Sequence, residues 1–233
     1  LIHFGRLRAN AVFNRAARFS YAYLAGLGQP VGGYGPYWLW SFFGIRFHLL
    51  ASFLRGNDFD SLTLLKRHGL KKGYTLTEPQ WQELNWQWYR PLSERGQIEP
   101  ETGKTLAALK EAGLKLGILS NTFIHGSSLD RHLRQEGLLD FFDRRIYSYQ
   151  YSFRKPDRRI FIEAARQIGT DPEHILFVGD RMDKDVRGAL NAGMVPVLKT
   201  AYTNKKKGTP DRGFRIHKLS ELPELVNQLN RKE

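Results

Sequence analysis

The stretch from Ile175 to Asp185 reads Ile-Leu-Phe-Val-Gly-Asp-Arg-Met-Asp-Lys-Asp, a continuous apolar run that breaks into a glycine and the carboxylates Asp180, Asp183 and Asp185. A strand covered on both faces reads as an unbroken apolar run, and functional groups of open α/β sheets gather just past the strands' carboxyl ends. Oxygen ligands on so tight a loop suit Mg2+, which takes one or two carboxylates and completes its shell with waters and substrate phosphate oxygens. The chain that follows, Val186 to Met194, reads as a helix with small residues on one face and Gly193 as its stop.

Two further clusters share this design. Leu114 to Leu119 is a second short apolar run, preceded by an amphipathic helix from about Thr105 to Ala112, and it ends in Ser120-Asn121-Thr122. A hydroxyl and an amide at a strand tip can donate to a phosphoryl oxygen. Between the two clusters, Arg154-Lys155-Pro156-Asp157 puts a lysine before a proline that restricts its conformation, ahead of a helix from about Arg158 to Gln167. A lysine is a compact charge suited to phosphate. Each cluster alone is an ordinary helix cap or solvated turn. In sequence order, at strand tips separated by helices, they make one site.

That order resembles the haloacid dehalogenase-like hydrolase superfamily, in its phosphatase branch with a helical C1 cap. Leu119-Ser120-Asn121-Thr122 is similar to the family's second motif, Phe153-Arg154-Lys155-Pro156-Asp157 to its third, and Val178-Gly179-Asp180 through Asp185 to its fourth. The resemblance runs from about Glu99 to about Leu222. It implies an α/β fold, a Rossmann-like parallel sheet with helices on both faces, plus an all-helical cap domain. It also implies hydrolysis of a small-molecule phosphate monoester through a phosphoaspartate. Ser120 and Asn121 would bind the phosphoryl oxygens, Lys155 would hold nucleophile and phosphoryl group together, and Asp180 and Asp185 would fix Mg2+. Asp183 would be a third ligand or a residue that orients water. Metal ligands at Asp180 and Asp185 also argue against a halide-displacing site, which needs none.

The family's first motif, Asp-x-Asp-Gly-Thr after a hydrophobic strand, is not found. The chain opens Leu1-Ile2-His3-Phe4-Gly5, as relatives continue just after that motif. The resemblance therefore implies a nucleophilic aspartate upstream of Leu1, a first core strand missing from this chain, and little or no activity for residues 1–233 alone. Asp58-Phe59-Asp60-Ser61-Leu62-Thr63 mimics the spacing of that motif, but Leu54-Arg55-Gly56-Asn57 before it is turn-like. Asp58 or Asp60 is expected as a helix N-cap instead.

The chain of 233 residues can hold two modest domains. Residues 6–95 lack apolar strand runs, show helical periodicity and carry all five tryptophans. They read as the helical cap, with residues 96–233 as the Rossmann-like core and 1–5 as the remnant of its first loop. Thr77 and Gln80 look like a capping box opening a helix through Trp81, Leu84 and Trp88. The stretch Tyr37 to Leu50 approaches the length of a membrane span, but Arg46 and His48 near its middle make a soluble helix the better reading, with its aromatics as core.

A formal charge of +13 favours anionic partners. No zinc pattern or helix-turn-helix signature accompanies it, and Lys205-Lys206-Lys207 reads as a solvated loop, so a phosphomonoester is expected rather than a nucleic acid or a membrane. There is no cysteine, which excludes disulfides and thiol chemistry. The cytoplasm is the expected compartment. The alternative to a phosphatase is a catalytically silent relative that binds a phosphorylated ligand or a protein partner.

Overall fold

The structure is a computed structural model that describes residues 1–5, 8–205 and 207–231. Arg6, where the helical block is expected to begin, and Lys206, in the lysine run, lie outside the described residues. The chain divides into two units. One is helical and comprises Ile2–Gln97 and Thr122–Glu136; the other carries the strands and comprises Leu1, Ile98–Asn121 and Gly137–Glu233.

In the strand-bearing unit the order is α5 (Thr102–Glu111), β1 (Gly117–Ser120), β2 (Arg144–Tyr147), α7 (Arg158–Ile168), β3 (Leu176–Gly179), α8 (Arg187–Ala192), β4 (Val195–Lys199), β5 (Phe214–Ile216) and α9 (Leu222–Asn230). Every pairing among these strands is parallel, which long crossover connections allow: a helix between β3 and β4, and residues 200–213 between β4 and β5. Alternation along β3 sends Phe177 toward one apolar cluster, with Ile160 and Phe161 of α7 and Ala189 and Ala192 of α8. Leu176 and Val178 go to another, with Leu109 of α5 and Leu222 of α9. Helices therefore cover both faces. Gly188 permits the α7–α8 contact, because a Cβ there would overlap the Phe161 ring.

Among the described residues the strands form two sheets, β1-β2 and β3-β4-β5. Leu119 of β1, Ile146 of β2 and Phe177 of β3 share one core cluster, so both sheets lie against the same helices. Among the described residues β3 has one edge without a strand partner. This explains a departure from the expectation of full burial. Leu176 to Gly179 are only half-buried, whereas β4, paired on both edges, is buried from Pro196 onward.

The helical unit consists of α1 (Ala9–Gly26), α2 (Tyr34–Arg55), α3 (Ser61–Lys71), α4 (Glu78–Ser93) and α6 (Gly126–Gln135). Its core holds Leu24, Tyr37, Leu62, Tyr74, Trp81 and Leu84. Asp60 is the N-cap of α3, accepting from the Leu62 and Thr63 amides at 3.1 and 3.3 Å. Gln80 accepts from the Thr77 amide at 2.8 Å, as a capping box requires. Gly56, at φ +72°, ends α2 in the left-handed conformation that glycine favours. No helix among the described residues is long and apolar enough to cross a membrane. The aromatic stretch of α2 differs from its expected role: Tyr37 is core, but Trp40, Phe43 and Phe47 are exposed. Periodicity shows that such residues share a face, not what that face meets.

Candidate functional site at the strand tips

The strand-bearing unit brings Ser120, Asn121, Lys155 and Asp185 together around one buried ion pair. The Lys155 ammonium lies 2.8 Å from Asp185 Oδ1, with the two side chains 12% and 7% exposed. It also donates to the Leu119 carbonyl at 3.0 Å, which ties it to the end of β1. Asn121, one residue past β1, clasps the Lys155 backbone: its Nδ2 donates to the Lys155 carbonyl and its Oδ1 accepts from the Lys155 amide, both at 2.8 Å. The Asn121 side chain thus positions the lysine. Ser120 is the last residue of β1, half-buried and paired in register with Tyr147. The Lys155–Pro156 peptide is cis.

Asp185 is held from its other side by the loop after β3. Its Oδ2 accepts from the Asp180 and Arg181 amides at 3.1 and 3.0 Å. The approach is close enough that a Cβ on Gly179 would overlap the Asp185 side chain. Asp185 itself lies in a single π-turn, Met182–Val186, a distortion often found at functional positions. Asp183 points elsewhere. Arg181 binds both its oxygens, at 3.0 and 2.9 Å, and the guanidinium holds the Asp183 carboxyl below its usual range.

Asp180 is positioned by two residues that the sequence reading does not single out. Thr203 Oγ1 donates to Asp180 Oδ2 at 2.8 Å, and Asn204 Nδ2 donates to the Asp180 carbonyl at 2.8 Å. Asn204 is buried and also donates to the Lys199 carbonyl at 2.7 Å, so it ties the tip of β4 to the tip of β3. The signal available in sequence was a Thr-Asn pair shortly after an apolar strand run, where α/β sites gather polar groups. Lys199 in turn pairs with Glu99 at 2.6 Å.

The donor set fits a divalent cation of sparse coordination. Among the described residues there is no cluster of three or more His, Cys, Asp or Glu side chains suited to a metal. Asp180 and Asp185 nonetheless supply hard oxygens on one loop, the number Mg2+ takes when waters and substrate fill its remaining positions. Asp185 Oδ1 is buried, with the Lys155 ammonium at 2.8 Å beside it.

The chain is 37% identical over 136 residues to the glyceraldehyde 3-phosphate phosphatase of Methanopyrus kandleri, an alignment covering 56% of this chain and 57% of that one. It thus spans little more than half the length of that relative. Its fold is similar to that of a haloacid dehalogenase-like phosphatase from Thermococcus onnurineus, with a TM-score of 0.57, 24% identity, and 92% and 89% of the two chains covered. It is also similar to that of a 2-haloacid dehalogenase from Pseudomonas syringae pv. Tomato, with a TM-score of 0.60, 24% identity, and 94% and 92% covered. The family described as haloacid dehalogenase-like hydrolase matches residues 24–193, from the helical unit through the Asp180–Asp185 loop, and the chain belongs to that family.

Proposed function

We propose that the strand-tip site is the phosphate-binding part of a Mg2+-dependent phosphatase, acting in the cytoplasm on a small-molecule phosphate monoester. One observation carries this reading: a nearly buried ammonium, Lys155, anchored by Asp185, Leu119 and the Asn121 clasp where β1 and β3 end. A fixed cation can neutralise phosphoryl charge without reorganising as the reaction proceeds. The attacking carboxylate is an aspartate of chain ahead of Leu1, and a phosphoaspartate forms and is then hydrolysed.

In this reading Ser120 donates its hydroxyl to a phosphoryl oxygen. Asn121 acts by holding Lys155 and contributes its backbone to the same pocket. Lys155 binds the phosphoryl group and the attacking carboxylate together. Asp180 and Asp185 hold Mg2+, which when bound supplies positive charge to the phosphate oxygens. Thr203 and Asn204 keep Asp180 in place. The named relative acts on a triose phosphate, so a short phosphorylated aldehyde or alcohol is the first substrate class to examine.

The test is phosphate release by the intact parent protein from a panel of phosphomonoesters, with and without Mg2+, beside an Asp180→Asn variant and residues 1–233 alone. Turnover that needs both the metal and Asp180, and is absent or nearly absent from residues 1–233 alone, is expected. A folded parent that binds phosphate esters without releasing phosphate would instead establish the catalytically silent relative, and turnover by residues 1–233 would return attention to Asp58 and Asp60.

A further inference from the structure

Helix α2 is built inside out. Its polar side chains are turned onto its own unit: the Arg46 guanidinium sits 3.5 Å from the centre of the Phe42 ring and donates to Asn10 Oδ1 of α1 at 3.0 Å. His48 bonds the Gly44 carbonyl through Nδ1 at 2.8 Å and accepts from Arg67 of α3 through Nε2 at 3.1 Å. Outward go Trp40, Phe43, Phe47, Leu50, Phe53 and Leu54, each between 43 and 74% exposed. Positions 40, 43, 47, 50 and 54 alternate spacings of three and four, the rhythm of a seam between two helices, and Phe53 widens its end.

The size of this face identifies what covers it. With ~150–250 Å2 for each of the four aromatic side chains and about 150 Å2 for each of the two leucines, these six at their observed exposure present roughly 600–800 Å2 of apolar surface. The largest such patch on a typical monomer is ~300–600 Å2, whereas one partner of a standard interface contributes ~800 Å2. A partner must bring an uncharged helix face of the same rhythm, and α2 is one. Pairing a face with itself across a twofold axis is also the commonest route to an oligomer. An interfacial membrane helix is rich in lysine and arginine along its polar face, whereas α2 carries no lysine and two arginines, Arg46, which donates to Asn10 of α1, and Arg55 at its end.

We propose that two copies of this chain associate through this stripe, α2 of one copy lying against α2 of the other. The surrounding charge of +13 opposes association, so added salt strengthens the dimer.

Sedimentation velocity on the full chain over a dilution series, at low and high salt, tests this. The wild type is expected as a dimer that tightens with salt. Phe47→Glu and Phe47→Lys are each expected as folded monomers with the far-UV circular dichroism of the wild type and a Tm that no longer rises with protein concentration, and mixing the two should restore a dimer. Leu54→Lys at the stripe's end should weaken the dimer, while Leu190→Lys, an exposed apolar position in the other unit, should not. A wild type monomeric at every concentration, or a dimer that survives both Phe47 substitutions, would overturn the proposal. So would a monomer that binds anionic vesicles through the stripe, more weakly as salt rises.

Discussion

Asp185 is the residue on which the site's geometry converges, since it receives two backbone amides on one oxygen and faces the Lys155 ammonium with the other. Removing one member of a buried ion pair strands the other in a medium of low polarizability. Asp185→Ala should therefore cost about 3–5 kcal/mol of stability, read from urea unfolding with Lys155→Met beside it. A loss below 1 kcal/mol would show the pair to be solvated. Gly179→Ala should dislodge Asp185 without touching any charge, and is expected to reduce turnover of the intact parent while leaving the protein folded. Thr203→Val should raise the Mg2+ concentration needed for half-maximal turnover by ~10–100-fold, the usual effect of losing a partner that orients a metal ligand. An unchanged Mg2+ requirement would mean that Thr203 does not orient a ligand. Ser120, Asn121, Asp180 and Asp185 could be singled out in sequence because they follow apolar runs, and Lys155 because it stands before Pro156 between those two clusters; their roles are those proposed above. Thr203 and Asn204 were not legible in this way, because their relation to Asp180 spans 23 and 24 positions and exists only once β3 and β4 pair.

At the scale of elements, local chemistry carried furthest. The α3 and α4 starts were readable from Asp60 and from Thr77 with Gln80, since caps act within three residues. The grouping of residues 122–136 with the helical unit was not. It rests on distant bonds: the Ser61 amide to the Phe123 carbonyl, the His125 amide to Ser61 Oγ, and Asn85 Nδ2 to Ser128 Oγ. His132 of α6 belongs to the same contact. It is buried with Nδ1 bonded to the Tyr89 hydroxyl at 2.9 Å, and burial lowers its pKa, partly offset by Glu136. Below the ordinary imidazole value of about 6.5 the unfolded chain therefore takes up a proton that the folded chain refuses, until pH falls through the lowered native value. Stability should decline across that window. Thermal unfolding between pH 7 and pH 5 should show a steeper fall for the wild type than for His132→Gln, and parallel curves would remove His132 as the cause.

For the whole molecule, 36 basic against 23 acidic side chains make a field that draws anions. If the substrate is a phosphate ester, rising ionic strength should lower kcat/KM of the intact parent and leave kcat nearly unchanged, because steering acts on encounter. The two-part sheet has the same wider meaning. β1 and β3 each end at the site and, among the described residues, each carry an unpaired edge, yet both lean on the helices that bury Phe161 and Ala189. The strand tips are therefore positioned by the helical layers and by the Lys155 bridge from Leu119 to Asp185, and the attacking carboxylate is proposed to come from chain ahead of Leu1. Acid-quenching the intact parent during turnover and locating the phosphoryl group by peptide mass spectrometry tests that most directly. A phosphorylated aspartate in a peptide ahead of Leu1 is expected; a phosphoryl group on Asp58 or Asp60, or none on the enzyme during confirmed turnover, would rule out that origin.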